Sequence, residues 1–282
     1  MRTVVRNVFI LLFALFCVLG FTGQGAAADN VLKLATTTST DNTGLLDYLA
    51  PVFQADTGIE LQWVAIGTGK ALALGKNCDV DVLLVHAPAS EKVYVEKGYG
   101  IDRTELMFND FVFIGPASDT AGIKGKSVKD AFETIVSKKA PFASRSDNSG
   151  THKKEKGLWK AAGITIPDKD AWYIQTGQGM LNTINIAAER DAYTMTDRGT
   201  YIKYASNWKG NPPLVILVEG DSSLRNQYSA MAVNPERCTN VKYDLARKFI
   251  GWMASAKAQK LIGEFRLMDK QLFTPNAKQG LS

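Results

Sequence analysis

Five hydroxyl residues follow one another near the start of the chain, at positions 36–40 of the stretch LKLATTTSTDNTGLLDYLAPVF. Hydroxyl groups and backbone N–H groups at a helix N-terminus donate hydrogen bonds to anions, and the helix dipole adds positive partial charge there. Because a helix needs only one cap, capping explains one or two of these hydroxyls. We therefore predict that Thr37, Thr38 and Ser39 bind an anion through neutral donors.

A second loop, GTGK at positions 67–70, also lies between a predicted strand and a predicted helix. Its glycines would bring backbone N–H groups close to a small ligand. The spacing of a nucleotide-binding P-loop is missing, because Ala71 follows Lys70 and no glycine lies at the required distance upstream. Thr68 and Gly69 are therefore candidate anion contacts rather than nucleotide contacts, with a plain tight turn as the alternative.

A third loop, RSDNSGT at positions 145–151, again separates a strand from a helix. Ser149 and Thr151 add hydroxyls, and Arg145 adds a guanidinium whose rigid fork suits an oxyanion. We predict that all three contact the ligand. The alternative for Arg145 is a surface ion pair with Asp147.

A fourth candidate lies at the end of another predicted strand, where Thr196 precedes Asp197. The Thr196 hydroxyl is a further possible anion contact. We expect Asp197 to cap the following helix, because an ionised carboxylate would repel an anion.

Residues typical of metal and catalytic sites are sparse. The chain has two histidines, His86 and His152, which are far apart in sequence, and no Cys/His cluster with zinc spacing. The nucleophile-elbow and metalloprotease motifs are missing, and His152 has no evident nucleophile beside it. We predict that the protein is not an enzyme and carries no cofactor or structural metal.

Strands and helices alternate along the chain, which favours an α/β fold with sheets that are largely parallel. The hydroxyl stretch falls between a predicted strand at 31–35 and a predicted helix at 44–57, and a long helix is predicted at 243–265. These elements place each candidate loop at a strand end.

Two distant segments, FNDFVFIGP and RNQYSAMAVNP, share a pattern: each is an extended run with a polar, Asn-containing start and a proline at its end. We interpret both as crossings between two lobes, and two independent sheet strands are the alternative. The first lobe would then comprise residues 29–116 and 228–282, and the second lobe residues 117–227.

Residues 1–28 have the pattern of a secretory signal peptide: two arginines, an apolar stretch at 8–21 and three alanines at 26–28. The apolar stretch is shorter than the roughly 20 residues of a membrane span. Cys17 follows Phe16 rather than a small residue, which argues against a lipid anchor. We expect an exported, soluble protein.

The net charge of the mature chain bears on which partners are expected. Without the two arginines of the signal peptide, 33 − 2 = 31 basic residues face 28 acidic ones, a net charge of +3. Because no basic block with interleaved aromatics occurs, nucleic acid is not an expected partner.

Cys78 and Cys238 remain after processing, and the sequence leaves open whether they form a disulfide or two buried thiols.

With these loops in order, the chain resembles the tungstate-binding proteins of bacterial ABC importers, which are related to molybdate- and sulfate-binding periplasmic proteins. The resemblance covers positions 32–275. It rests on TTTS followed by TDNTGLLDYLAPVF, then GTGKALALG, DVDVLLVHAP, RSDNSGTHKKE and MTDRGTY, in this order.

The resemblance implies a two-lobed periplasmic binding protein of type II, with mixed sheets flanked by helices and a ligand cleft between the lobes at two hinge crossings. It implies a monomer that captures tungstate, with molybdate as a candidate second ligand, in the periplasm and delivers it to a membrane permease. The family's anion contacts fall on Thr38, Ser39, Thr68, Arg145 and Thr151. One departure is His86-Ala87, where the family pattern would have an acidic residue near the following proline, and we expect that position on the surface.

Other functions remain as alternatives. A phosphate-binding protein would need a carboxylate to accept the proton of its ligand, which Asp41, Asp147 or Asp197 at the loop margins could supply. A sulfate-binding protein is a second alternative. An exported hydrolase or transferase is a third, and it would need an activated nucleophile or a metal cluster.

Overall fold

The computed structural model describes residues 30–209 and 211–278, so the predicted signal peptide lies outside the described residues. Its strands are β1 Val31–Thr37, β2 Glu60–Ile66, β3 Val82–Val85, β4 Gly100–Pro116, β5 Phe142–Ser144, β6 Tyr173–Gln175, β7 Tyr193–Asp197, β8 Leu214–Val218, β9 Arg225–Val233, β10 Arg266–Leu267, β11 Lys270–Gln271 and β12 Thr274–Pro275. Its helices are α1 Thr38–Asp41, α2 Leu45–Thr57, α3 Thr68–Lys76, α4 Pro88–Glu96, α5 Val128–Lys138, α6 Gly150–Ala161, α7 Met180–Glu189, α8 Arg198–Ser206, α9 Tyr243–Ala254 and α10 Ala256–Glu264.

The first half of the main sheet has the strand order β2-β1-β3-β9-β4, with β12 paired to β4. Strands β1, β2 and β3 are parallel, and β9 and β4 are antiparallel to their neighbours. The carboxyl ends of β1 and β2 lie side by side, with Thr37 opposite Ile66. We call this half-sheet, with α1–α4, α9 and α10, the first lobe.

The second half of the sheet repeats this arrangement. Strand β5 is parallel to β6 and β7, while β4 is antiparallel to β7 and β8. The carboxyl ends of the three parallel strands, at Ser144, Gln175 and Asp197, therefore share one edge. We call this half-sheet, with α5–α8, the second lobe.

Helices cover both faces of each half-sheet, because the apolar strand side chains point alternately to either face. In the first lobe, α2, α9 and α10 cover one face and α3 and α4 the other. In the second lobe, α5 and α6 cover one face and α7 and α8 the other. Each lobe thus has its own apolar cores, and the predicted α/β architecture with mixed sheets is confirmed. The expectation that the sheets are largely parallel is wrong, because β4 and β9 at the centre of the sheet are antiparallel to their neighbours.

Strand β4 belongs to both lobes. Its residues 100–110 pair with β9, whereas residues 111–116 pair with β7 and β8. The two segments that we interpreted as crossings pair through their first three residues, 108–110 with 225–227, which places Asn109 opposite Asn226. Because the partners of β4 change after Asp110, before the predicted boundary at residue 116, we propose that the lobes divide there and near Arg225 on the returning strand.

The prediction of one long helix at 243–265 is wrong, because the helix is broken at Ser255. This residue is extended (φ −66°, ψ 154°), and its hydroxyl accepts a hydrogen bond from the Ala258 N–H at 3.3 Å, which caps α10. Serine favours this N-cap position. The apolar periodicity continues through both helices, so it does not mark the break.

Cys78 and Cys238 form a disulfide with a Cα–Cα distance of 5.4 Å. It joins the segment after α3 to the segment after β9, so it cross-links the first lobe. This disulfide answers the question that the sequence left open, namely whether the two cysteines are bonded or are buried thiols.

Across residues 30–209 and 211–278, no helix is long and apolar enough to cross a membrane.

Candidate functional site

A cavity of about 530 Å³ opens between the lobes, at the carboxyl ends of their parallel strands. Ligands of open α/β sheets bind at such strand ends. The predicted contacts that line the cavity are Thr37, Thr38, Ser39 and Thr68 from the first lobe and Arg145, Ser149 and Thr151 from the second. Gly69 and Thr196 are not part of its lining.

The five consecutive hydroxyl residues divide into two groups. Thr36 and Thr40 are fully buried, and the Thr36 hydroxyl donates to a backbone carbonyl of β3 at 2.8 Å. The Thr37 hydroxyl caps α1 by accepting from the Thr40 N–H at 3.3 Å. Thr37, Thr38 and Ser39 line the cavity. Thr36 and Thr40 therefore serve the fold, Thr37 serves both the helix cap and the cavity wall, and Thr38 and Ser39 line the cavity.

Thr68 is the first residue of α3, which begins earlier than the sequence predicted. The preceding residue, Gly67, has no side chain to cap the helix, so the first-turn N–H groups lack that partner. Successive helix residues are turned by about 100°. This rotation explains why Thr68 lines the cavity while the exposed Gly69 does not.

Arg145 lines the cavity and also forms the ion pair that was its alternative role. Its Nη2 donates to Asp147 Oδ2 at 2.5 Å, and Asp147 Oδ1 accepts from the Ser149 N–H at 3.1 Å. Burial opposes ionisation of Asp147, but the Ser149 hydrogen bonds and the Arg145 charge lower the pKa of its carboxyl below the ordinary value. The Arg145 Nε–H is buried and has no acceptor among the described residues.

The start of α6 brings a second helix N-terminus to the cavity. The Ser149 hydroxyl accepts from the His152 N–H at 3.3 Å and so caps the helix. Because a hydroxyl that accepts can still donate, Ser149 retains a donor. Gly150 and Thr151 follow it along the cavity wall.

Asp197 caps α8 as predicted, accepting from the N–H of Thr200 at 2.9 Å and from its hydroxyl at 2.6 Å. It also lines the cavity, which the sequence did not predict. The neighbouring Thr196 is fully buried, because adjacent strand residues point to opposite faces, and its hydroxyl donates to the Asp197 carbonyl at 3.2 Å. At this fourth strand end, therefore, the carboxylate of Asp197 lies at the cavity and the hydroxyl of Thr196 does not.

Sequence reasoning missed two further parts of the second-lobe wall. The start of α7, at residues 179–182, lines the cavity, and Gly179 leaves this helix without a side-chain cap. Gly177 and Gly179 between strand and helix were the signal, the same as in the GTGK loop. Lys203 of α8 also lines the cavity and donates from Nζ to the carbonyl of Asn42 in the first lobe, and no motif marked it.

The expectation that His86 lies on the surface is wrong. His86 follows β3 and lines the cavity, with its ring stacked on Tyr228 at 4.7 Å. Its Nε2 lies 3.0 Å from the hydroxyl oxygens of both Thr37 and Ser39. Burial lowers the pKa of His86 below the ordinary value, against the smaller opposing effects of Asn226 and of the Asp197 charge. Its position directly after a buried strand was the available signal.

These residues suit an anion that has several oxygen atoms. The walls offer neutral hydroxyls, helix N-termini and the guanidinium of Arg145, while Asp197 is the acidic residue among the lining residues. In the described part of the chain, no group of three or more His, Cys, Asp and Glu residues could hold a metal ion.

Comparison with known proteins agrees with this geometry. A model of the PBP superfamily domain matches residues 22–257. The tungstate-binding protein TupA of Campylobacter jejuni is 53% identical over 240 residues, covering 85% of this chain and 89% of that protein.

Two solved structures are also similar. The tungstate-binding protein TupA from Desulfovibrio alaskensis G20 is 66% identical, with a TM-score of 0.86, and the match covers 88% of this chain and 99% of that one. The tungstate ABC transporter structure from Geobacter sulfurreducens is 44% identical, with a TM-score of 0.73, and covers 84% and 99% of the two chains.

Proposed function

This chain belongs to the PBP superfamily, in the family of the tungstate-binding proteins TupA, and from that premise we propose that it captures tungstate and delivers it to an ABC importer. Molybdate, which has the same charge and shape, is the second ligand that we propose. We further propose that the mature protein is a periplasmic monomer without catalytic activity, and that its partner is the permease subunit at the membrane.

The observation that carries this proposal is that hydroxyls from both lobes converge with Arg145 on one cavity, while the buried Nε–H of Arg145 has no acceptor among the described residues. A buried donor without a partner is rare and costly. An oxyanion would accept from it, and the nearby Thr38 and Thr151 would donate to other oxygens of the same anion. Tungstate has no proton, so a wall of donors suits it.

The mechanism follows from the position of the contacts on two lobes. A cavity of about 530 Å³ is larger than an anion of five heavy atoms needs, so the walls must approach one another for both to contact it. The anion then has more contacts in the closed form and shifts the population towards it. The lobes would move at β4 and β9, and the permease would release the anion by separating them.

The energies are sufficient for tight binding. Hydrogen bonds to a charged group contribute about 1.5–3 kcal/mol each. Several such bonds in a cavity that excludes water support nanomolar affinity, which corresponds to about 12 kcal/mol.

Phosphate is the second candidate, and one observation favours it: the carboxylate of Asp197 lines the cavity. Near neutral pH phosphate carries a proton that this carboxylate would accept. The Thr200 N–H and hydroxyl already bind Asp197, which makes it a weaker acceptor for a ligand. Asp41 accepts from Trp63 Nε1 at 2.7 Å, and Asp147 pairs with Arg145, so neither supplies the same acceptor.

The experiment is calorimetric titration of the mature, ligand-stripped protein with tungstate, molybdate, sulfate and phosphate. We expect tight one-to-one binding of tungstate and molybdate, and no heat from sulfate or phosphate. Heat from phosphate alone would support the second candidate. No binding of any of the four anions would overturn the proposed function.

A further inference from the structure

His86 connects the hydroxyl stretch to the strands that cross between the lobes. On one side of its ring, Nε2 lies 3.0 Å from both the Thr37 and the Ser39 hydroxyl oxygens. On the other side, Nδ1 lies 3.0 Å from Oδ1 of Asn226 in β9. The ring therefore links two cavity-lining hydroxyls directly to the crossing.

The network around Asn226 fixes the tautomer of His86. Asn226 Nδ2 donates to Asn109 Oδ1 at 2.8 Å and to the Tyr228 hydroxyl at 3.3 Å, so its Oδ1 faces His86 as an acceptor. His86 Nδ1 must then carry the proton. In the neutral ring Nε2 is left with a lone pair, which accepts a hydroxyl proton from Thr37 or Ser39.

This arrangement limits how many protons the hydroxyls can direct at a ligand. While His86 is neutral, one of the Thr37 and Ser39 protons points at Nε2 instead of into the cavity. If Nε2 takes up a proton from solvent, it becomes a donor to a hydroxyl oxygen. Both hydroxyl protons can then point at an anion, and the imidazolium adds a positive charge near it.

The charged groups on the second-lobe wall have opposite effects on the protonation of His86. The Asp197 charge favours the imidazolium. Arg145 and Lys203, which line the same cavity, carry positive charges that would repel it. The Arg145 charge is partly offset by Asp147, and Lys203 donates to the Asn42 carbonyl.

The other titratable groups around His86 are neutral or already have partners. On the strand behind the ring, burial raises the pKa of Tyr228, so this residue stays neutral. The start of α6 approaches through Gly150, where a Cβ would lie 4.0 Å from His86 Cε1, and the cation of Lys154 on that helix donates to a β9 carbonyl at 3.1 Å. On the first-lobe side, the carboxylate of Asp41 is bound to Trp63.

We propose that His86 is a positioning residue of the anion site, which sets the direction of the Thr37 and Ser39 hydroxyl protons and takes up one proton when the anion binds. This inference rests on the proposed binding function. Because burial lowers the pKa of His86, the ring is neutral near pH 7 before binding. A bound dianion raises that pKa, so affinity increases as the pH falls.

The test is calorimetric titration with micromolar tungstate from about pH 8 to about pH 6, the range in which histidine titrates. Titrations in two buffers of different ionisation enthalpy count the protons taken up. We expect proton uptake on binding, with affinity rising by up to about tenfold per pH unit. His86→Gln should bind about tenfold more weakly at the lower pH and take up no proton.

The other histidine provides the matched control, because the chain has only these two. His152→Gln should keep the proton uptake. Tight tungstate binding without proton uptake in the unaltered protein would overturn the role of His86 and leave the proposed function intact. Proton uptake that persists in His86→Gln and is lost in His152→Gln would overturn it as well. No tungstate binding at any pH would overturn both proposals.

Discussion

The two walls of the cavity offer donors of different kinds. The first lobe contributes the neutral hydroxyls of Thr37, Thr38, Ser39 and Thr68, with His86 behind them. The second lobe also has hydroxyls, those of Ser149 and Thr151, but it alone contributes charged groups to the lining, with Arg145 and Lys203 opposed by Asp197. Both walls therefore offer neutral donors, and the second wall decides how much of the charge of an anion is neutralised.

The walls also differ in how they are held in place. The hydroxyl stretch begins in the last two residues of β1 and continues into α1, and the buried Thr36 ties β1 to β3. The Arg145 loop is held by an ion pair with Asp147, which an anion in the cavity would compete with for the same guanidinium. We infer that the first wall is preorganised and that the second wall adjusts on binding, and the following changes test this difference.

The largest expected effect concerns the cross-link between Cys78 and Cys238, which only the first lobe has. Replacing both cysteines by serine should lower the free energy of unfolding by about 2–4 kcal/mol, because the disulfide restricts the unfolded chain. Urea unfolding measures this. Reductant should destabilise the unaltered protein similarly and leave the double variant unchanged. Equal stability with and without the disulfide would contradict the prediction.

Removing the second-wall charge should have the next largest effect. Arg145→Ala should weaken tungstate binding by about 10- to 100-fold, the loss of one charge-assisted hydrogen bond. Calorimetry measures the change. Arg190→Ala, at the exposed end of α7, is the control and should bind normally. Unchanged affinity of Arg145→Ala would remove this residue from the site.

On the first wall, loss of one neutral donor should cost less. Thr38→Val should weaken tungstate binding about tenfold, with little change in stability, because a hydrogen bond from a neutral hydroxyl to a charged anion contributes about 1.5 kcal/mol, the lower end of the range for charged partners. The matched variant Thr36→Val should do the reverse: it should lower the free energy of unfolding by about 0.5–1.5 kcal/mol by removing a buried hydrogen bond. If both variants affected only stability, the division of the hydroxyl stretch would be wrong.

The smallest expected effect concerns the carboxylate of the second wall. Asp197→Asn retains a side chain that can cap α8 and removes a negative charge, so tungstate should bind about two- to fivefold more tightly, in keeping with a partly exposed charge. The same titration gives the result. Weaker tungstate binding in this variant would show that the carboxylate assists the anion, and phosphate should then be titrated again.

Local patterns predicted much of this protein. Strand ends followed by Gly, Ser and Thr marked the hydroxyl stretch, the GTGK loop and the RSDNSGT loop, and the structure brings these three loops to one cavity. The same reasoning placed Gly69 and Thr196 at the site, although helix rotation turns one away and strand alternation buries the other. The sequence reasoning also predicted a single helix across Ser255, because the apolar periodicity continues past this residue and does not show the helix cap there.

By itself the sequence determined which residue types stand at strand ends, because helix caps, glycine turns and apolar runs are local features. The tertiary structure alone decided which of those ends face each other. It brought His86, Lys203 and Asp197 to the same cavity, paired Cys78 with Cys238, and left the Arg145 Nε–H without an acceptor. Such contacts join residues far apart in the chain, and their geometry is set by how the strands pair and how the lobes pack.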